Sequence, residues 1–226
     1  EDYFTKYFRI KSDVRSGHAC DYMTINSIGG LGLDKSYNNK LKIDYAHYLI
    51  NKYIDVQEWV LKEVNDFCDT HFNKKSVLGV HYRGTDKSKE APYVSFEEVY
   101  RNIAYYLEKY PETDLVFLSS DDEHFIKQVH NSALQKPVVY RRDEFRSSDN
   151  QAIHHSSYSK LDVNRDAIIN CLILSRCNAL MKTASILSAV SVLFNTEAPV
   201  VLLNKPFYDW YPEKGLAEKV LYESID

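Results

Sequence analysis

The sequence predicts an α/β fold, a Rossmann-like parallel sheet with helices on both faces. Three observations carry that expectation. From residue 76 onward, short apolar runs alternate with amphipathic stretches of helical length. The strand–helix unit recurs about four times, which calls for parallel strands joined by crossover helices. The composition, 44% hydrophobic and 27% charged over 226 residues, is that of an ordinary globular chain with enough length for one substantial core.

Residues 1–45 are polar, rich in Tyr and Asn, and weakly periodic. The cluster Gly29, Gly30 and Gly32, followed by Asp34, Ser36, Asn38 and Asn39, reads as loop. From Asp44 to Phe72 the residues Tyr48, Leu49, Tyr53, Val56, Val60, Val64 and Phe67 recur at helical spacing and predict one or two amphipathic helices. A linker at 73–75 divides an N-terminal region, 1–75, from an α/β domain, 76–226.

Within that domain, Ser76–Tyr82 is a buried strand. Ser95, with Glu98 three residues later, forms a capping box that opens a helix ending at Pro111. Leu115–Leu118 is the next strand, and Asp121 or Asp122 caps a short helix running through Val129. Val138–Tyr140 is a strand, Asp162–Asn178 a strongly apolar helix, and Ala179–Lys182 a strand. Ser185–Phe194 is a helix and Val200–Leu203 the last strand.

Several function classes are disfavoured. Lys plus Arg number 28 against 32 Asp plus Glu, a net charge of −4, so the overall field opposes nucleic acid and anionic membranes. The 18 tyrosines are scattered and build no stacking platform for bases. With only seven glycines, neither Gly-x-Gly-x-x-Gly nor Gly-x-x-x-x-Gly-Lys-Ser/Thr occurs. Cys20, Cys68, Cys171 and Cys177 form no Cys-x-x-Cys, and read as buried free thiols. His154 and His155 lack a second ligand pair at usable spacing for a metal. No Asn-x-Ser/Thr sequon, signal peptide or long apolar run is present, which favours a cytoplasmic protein and leaves room for peripheral membrane association. The chain begins at Glu1 rather than Met, which suggests a piece of a longer polypeptide with other domains.

In a parallel sheet, ligands bind at the carboxyl ends of the strands. Three such ends are polar here: His81-Tyr82-Arg83-Gly84-Thr85-Asp86-Lys87, then Ser119-Ser120-Asp121-Asp122, then Lys182-Thr183-Ala184-Ser185. Arg83 offers a planar fork suited to phosphate oxygens; the alternative is a surface ion pair with Asp86. Thr183 and Ser185 stand where a strand turns into a helix, as phosphate donors or simply as N-caps. Asp121 and Asp122 are a metal pair, or one of them is a helix cap; no Asp-x-Asp occurs. Glu90 is a candidate general base beside Lys87.

The segment Gly79–Lys87 resembles the first motif of the GDP-fucose-dependent α1,6-fucosyltransferase and protein O-fucosyltransferase superfamily. Leu118-Ser119-Ser120-Asp121-Asp122 resembles its Ser/Thr-Asp-Asp strand end, and Leu174–Ser185 its helix–strand–Ser/Thr segment. The three motifs stand in the right order across roughly residues 53–204, and residues 1–50 show no clear match. The resemblance implies the donor-binding half of a GT-B glycosyltransferase, with 1–75 as a partial or reduced acceptor-side region. It also implies an inverting, metal-independent transfer of fucose from GDP-fucose to a glycan hydroxyl, with no cofactor. Carried over, Arg83 binds the diphosphate and His81 contacts the nucleotide, while Gly84, Thr85, Asp86, Asp121 and Asp122 line the donor site. Thr183 and Ser185 complete the phosphate cradle, and Lys87 with Glu90 deprotonates the acceptor, the Glu90 match needing a one-residue gap. Asn170 stands where the family often has a guanine-binding Asp, and Ala184-Ser185-Ile186 replaces its paired serines. These departures leave two alternatives open, another nucleotide sugar or weakened catalysis.

Overall fold

The computed structural model describes residues 3–11, 40–85, 91–148 and 158–204. In chain order the elements are α1 (Tyr3–Tyr7), β1 (Phe8–Ile10), α2 (Lys40–Tyr53), β2 (Ile54–Val56), α3 (Glu58–His71), β3 (Val77–Tyr82) and α4 (Phe96–Lys109). There follow β4 (Leu115–Ser120), α5 (Glu123–His130), β5 (Val138–Tyr140), α6 (Lys160–Leu174), β6 (Ala179–Lys182), α7 (Ile186–Phe194) and β7 (Val200–Leu202).

Five of these strands form one sheet in the order β5-β4-β3-β6-β7, every neighbouring pair parallel. The chain therefore starts in the centre, winds outward to β5, then returns to the other side of β3 for β6. Such an order reverses between β3 and β6, and the crevice at that switch point is where this class of sheet receives ligands.

The pleat sorts the core into two layers. Leu78, Val80, Tyr82, Val116, Leu118, Ala179 and Met181 face α4 and α5, packing on Val99, Ile103, Phe125 and Val129. Val77, Leu115, Phe117 and Leu180 face the other way, onto α3, α6 and α7 through Val60, Val64, Ile169, Ile173 and Val192. Helices on both faces make this a Rossmann-like domain. Tyr7 and Ile43 join the second layer, so α1 and α2 share its core with the sheet.

Sequence and structure differ in places. The expected helical stretch 44–72 is two helices broken by β2, which pairs antiparallel with β1. Both strands have three residues, too few to show a period of two. The long apolar helix ends at Leu174 rather than Asn178; Asn178 turns away and its Oδ1 accepts the Val77 N–H at 2.8 Å. Of the two candidate caps, Asp122 is the one that opens α5, its carboxylate accepting the N–H groups of His124 and Phe125 at 2.8 and 3.2 Å. Ser95 caps α4 as expected, taking the Glu98 N–H at 3.1 Å. At 73–75 the chain turns tightly, with Lys74 at φ 62° and the Lys75 N–H donating to Phe72 O at 2.7 Å. Among the described residues, no helix is long and apolar enough to cross a membrane. Cys68, Cys171 and Cys177 are free thiols, and burial raises all three; Cys20 lies outside the described residues.

Candidate functional site

β3 and β6 end side by side at the switch point. The Thr183 N–H donates to His81 O at 3.0 Å, and the Arg83 N–H donates to Thr183 Oγ1 at 2.8 Å. Two of the three polar strand ends read from the sequence are thereby joined. The third closes on them from β4: Asp121 Oδ2 lies 3.1 Å from Arg83 Nε, and the Thr85 hydroxyl donates to the same oxygen at 2.7 Å. The Arg83 side chain is 20% exposed and that of Asp121 9%. A mostly desolvated, hydrogen-bonded ion pair of this kind holds its geometry far better than a surface pair.

Gly84 is required by its neighbour. A Cβ at this position would lie 2.3 Å from Tyr82 Cε1, and the Tyr82 ring cannot move aside. It is stacked on Phe125 at 4.5 Å between centroids, edge-on to Phe96, and its hydroxyl donates to Val94 O at 2.9 Å. The buried ring fixes the path of the chain into the site.

On the other side, Ser185 is the N-cap residue of α7, with extended backbone, so the positive end of that helix faces the same edge. Asn204, just past β7, was not selected from the sequence. It accepts the Ala184 N–H at 2.7 Å and donates to Pro92 O at 2.7 Å, tying together the segments after β3, β6 and β7. Its sequence signal is slight, one amide closing an apolar strand.

His81 and Lys182 are partners in register on β3 and β6, and both point to the α6 side of the sheet. His81 is 3% exposed and Lys182 fully buried. Burial first, then the charges of Lys182 and Arg83, hold His81 down at about 3, so its ring is neutral. His81 Nδ1 is buried without a hydrogen-bond partner among the described residues. Lys182 belongs to the third polar strand end but is not among the candidates selected there; a lysine at a strand end reads as solvated, and only the register places it beneath the switch point.

Asn170 lies in a different setting. Its Nδ2 donates to Glu144 Oε2, while Arg146 pairs with Glu144 Oε1. Beside them Arg141, 3% exposed, bridges Asp166 at 3.2 Å, Asp143 at 3.4 Å and Glu63 at 3.5 Å. The Phe145 N–H donates to Asp166 Oδ2 at 3.1 Å. This buried polar cluster clamps the segment after β5 onto α6 and α3. Burial raises Glu144 to about 7 against the pull of Arg146. Asp86, Lys87 and Glu90 lie outside the described residues, as do His154 and His155.

The strand order and the two-sided helix cover define a doubly wound α/β domain, with the Arg83 guanidinium standing at its switch point. No family model matches the chain, and no curated protein does. Among solved structures, NodZ alpha-1,6-fucosyltransferase co-crystallized with GDP is 19% identical, over 69% of this chain and 47% of that one, at TM-score 0.48. POFUT1 in complex with GDP is 13% identical, over 68% and 48%, at 0.47. A FUT1 variant of Arabidopsis thaliana in complex with GDP is 13% identical, over 75% and 39%, at 0.49. The chain spans about half or less of the length of these structures.

Proposed function

We propose that residues 76–226 are the donor-binding domain of an inverting, metal-independent glycosyltransferase that moves fucose from GDP-fucose to a glycan hydroxyl. Residues 1–75 then belong to the acceptor side. The observation that carries this reading is Arg83, held at the switch point by Asp121 and Thr183. Three ordered sequence motifs agree with it, and all three converge on that crevice.

In the reaction the acceptor oxygen attacks the anomeric carbon, its proton passes to a base, and the bond to the diphosphate breaks. The developing negative charge on the leaving GDP is met by the Arg83 guanidinium, the Thr183 and Ser185 hydroxyls and the N-terminus of α7. Such donors act strongly because they are fixed and partly desolvated before the substrate arrives. His81, neutral and with a buried ring nitrogen open to a hydrogen bond, is suited to the nucleotide. Glu90, assisted by Lys87, is the proposed base, and Asp86 stands beside Lys87 in the sequence.

Release of fucose from GDP-fucose, with and without glycan acceptors, tests the proposal. Arg83→Ala lowers turnover by more than about a hundredfold, the scale of losing a main charge-stabilising donor. Full activity in that variant would overturn the mechanism.

A second reading, a different nucleotide sugar, is favoured by Asn170. Its Nδ2 is committed to Glu144 inside the molecule, and its Oδ1 is buried without a hydrogen-bond partner among the described residues, an amide in place of a carboxylate. A melting-temperature panel with GDP, UDP and CMP separates the two: GDP alone supports the first, and UDP or CMP the second.

A further inference from the structure

We propose that Asp121 is a positioning residue for Arg83 and does not itself bind the donor. The inference rests on the functional reading above and assigns to Asp121 a role in the same site. An ionised carboxylate has only acceptor oxygens, so it cannot hydrogen-bond a diphosphate and would repel it. Yet Asp121 stands at the site, largely buried, 3.1 Å from Arg83 Nε. Its neighbour Asp122 is committed to capping α5, so the two adjacent carboxylates divide into a helix cap and an arginine anchor.

The geometry explains the arrangement. Asp121 Oδ2 receives both the Arg83 Nε–H and the Thr85 hydroxyl, the latter at 2.7 Å. The Arg83 main chain is fixed independently, through its N–H to Thr183 Oγ1 at 2.8 Å. Arg83 is thus anchored to β6 by its backbone and to the end of β4 by its side chain. A carboxylate at Nε takes the side edge of the guanidinium and is compatible with an anion on the Nη1/Nη2 edge. The rotamer entropy of a long side chain is then lost on folding and not again on binding. Asp121 itself is held from the far side: the Ser147 N–H donates to Asp121 O at 2.8 Å, and the Asp122 N–H to Ser120 Oγ at 3.1 Å.

Charge and positioning predict opposite signs, which makes the role testable. Removing a carboxylate makes the site more positive, so simple electrostatics would tighten diphosphate binding. Positioning predicts weakening. Calorimetric titration of the full chain with GDP is the experiment. Asp121→Ala weakens GDP binding about tenfold, or about 1.4 kcal/mol. Asp121→Asn, which keeps an acceptor for Nε and for Thr85, recovers most of the loss. In an Arg83→Ala background, Asp121→Ala has no further effect. Thr85→Val, which exposes no unpaired charge, gives a smaller loss of about two- to fivefold with the melting temperature unchanged.

Unchanged or tighter GDP binding by Asp121→Ala overturns the inference. So does an equal loss in the wild-type and Arg83→Ala backgrounds, which would mark a merely structural role. If Asp121→Ala does not fold, Thr85→Val decides alone, and wild-type affinity in that variant overturns the inference. Wild-type protein that binds neither GDP nor UDP overturns the functional reading itself and this inference with it, a result distinct from binding that is indifferent to Asp121.

Discussion

At the carboxyl end of β3, His81 is kept neutral by its surroundings, chiefly by burial and next by the charge of Lys182. Its folded value near 3 lies below the ordinary 6.5. The stability it contributes is therefore complete above about pH 6.5 and is lost as the pH falls from there toward 3. By NMR, the His81 ring stays neutral through about pH 4, and Lys182→Met moves its titration upward. Titration near 6.5 would show an exposed ring instead. Glu144 has the opposite sign. Raised to about 7 from 4.5, it gains its proton early in the folded state, so its contribution to stability grows as the pH falls from 7 to 4.5. The melting difference between wild type and Glu144→Gln changes across that window; a flat difference would contradict the burial of this carboxyl. Arg83, Thr85, Asp121, Thr183 and Ser185 could be picked out as neighbours from the sequence because each lies within a few residues of the end of an apolar run. Glu144 could not. Arg141-Arg142-Asp143-Glu144 reads as a solvated charge run, and only α6 lying over it makes it interior.

Among the elements, the alternation of strands and helices from 76 to 204 was readable because α4 and α5 carry an apolar stripe, α6 and α7 are apolar runs of helical length, and each strand is bounded by polar or turn residues. β1 and β2 were not, since their pairing is set by contacts 46 residues apart, such as Arg9 with Asp55. Local signals do carry energy that can be measured. Ser95→Ala removes the cap of α4 and costs about 1 kcal/mol in denaturant unfolding; no loss would show that the cap hydrogen bond to Glu98 is unimportant. Gly79 is where β3 meets the turn after α6. A Cβ there would come within 2.8 Å of Cys177 Sγ and 3.2 Å of Leu174 Cδ2. Gly79→Ala therefore destabilises by about 1–3 kcal/mol through overpacking, whereas an unchanged midpoint would mean that α6 can shift to make room.

For the whole molecule, the decisive feature is the strand order, because it sets which loops become neighbours. The sequence shows three polar strand ends and their common edge, but not that β3 and β6 are adjacent. Hydrogen bonds between those two strand ends, and Asn204 reaching across to Pro92, close the site from both sides. A net charge of −4 and the lack of a glycine-rich loop are compatible with this site, since a guanidinium, hydroxyls and a helix end supply local donors. The most direct test is a map of backbone amide shifts as GDP is added to the isotope-labelled chain. With GDP at the switch point, the largest shifts fall on Arg83, Gly84, Thr85, Thr183, Ala184 and Ser185, and Arg83→Ala moves them to higher GDP concentration. Shifts centred elsewhere, or unaffected by that substitution, would contradict this placement of the donor site.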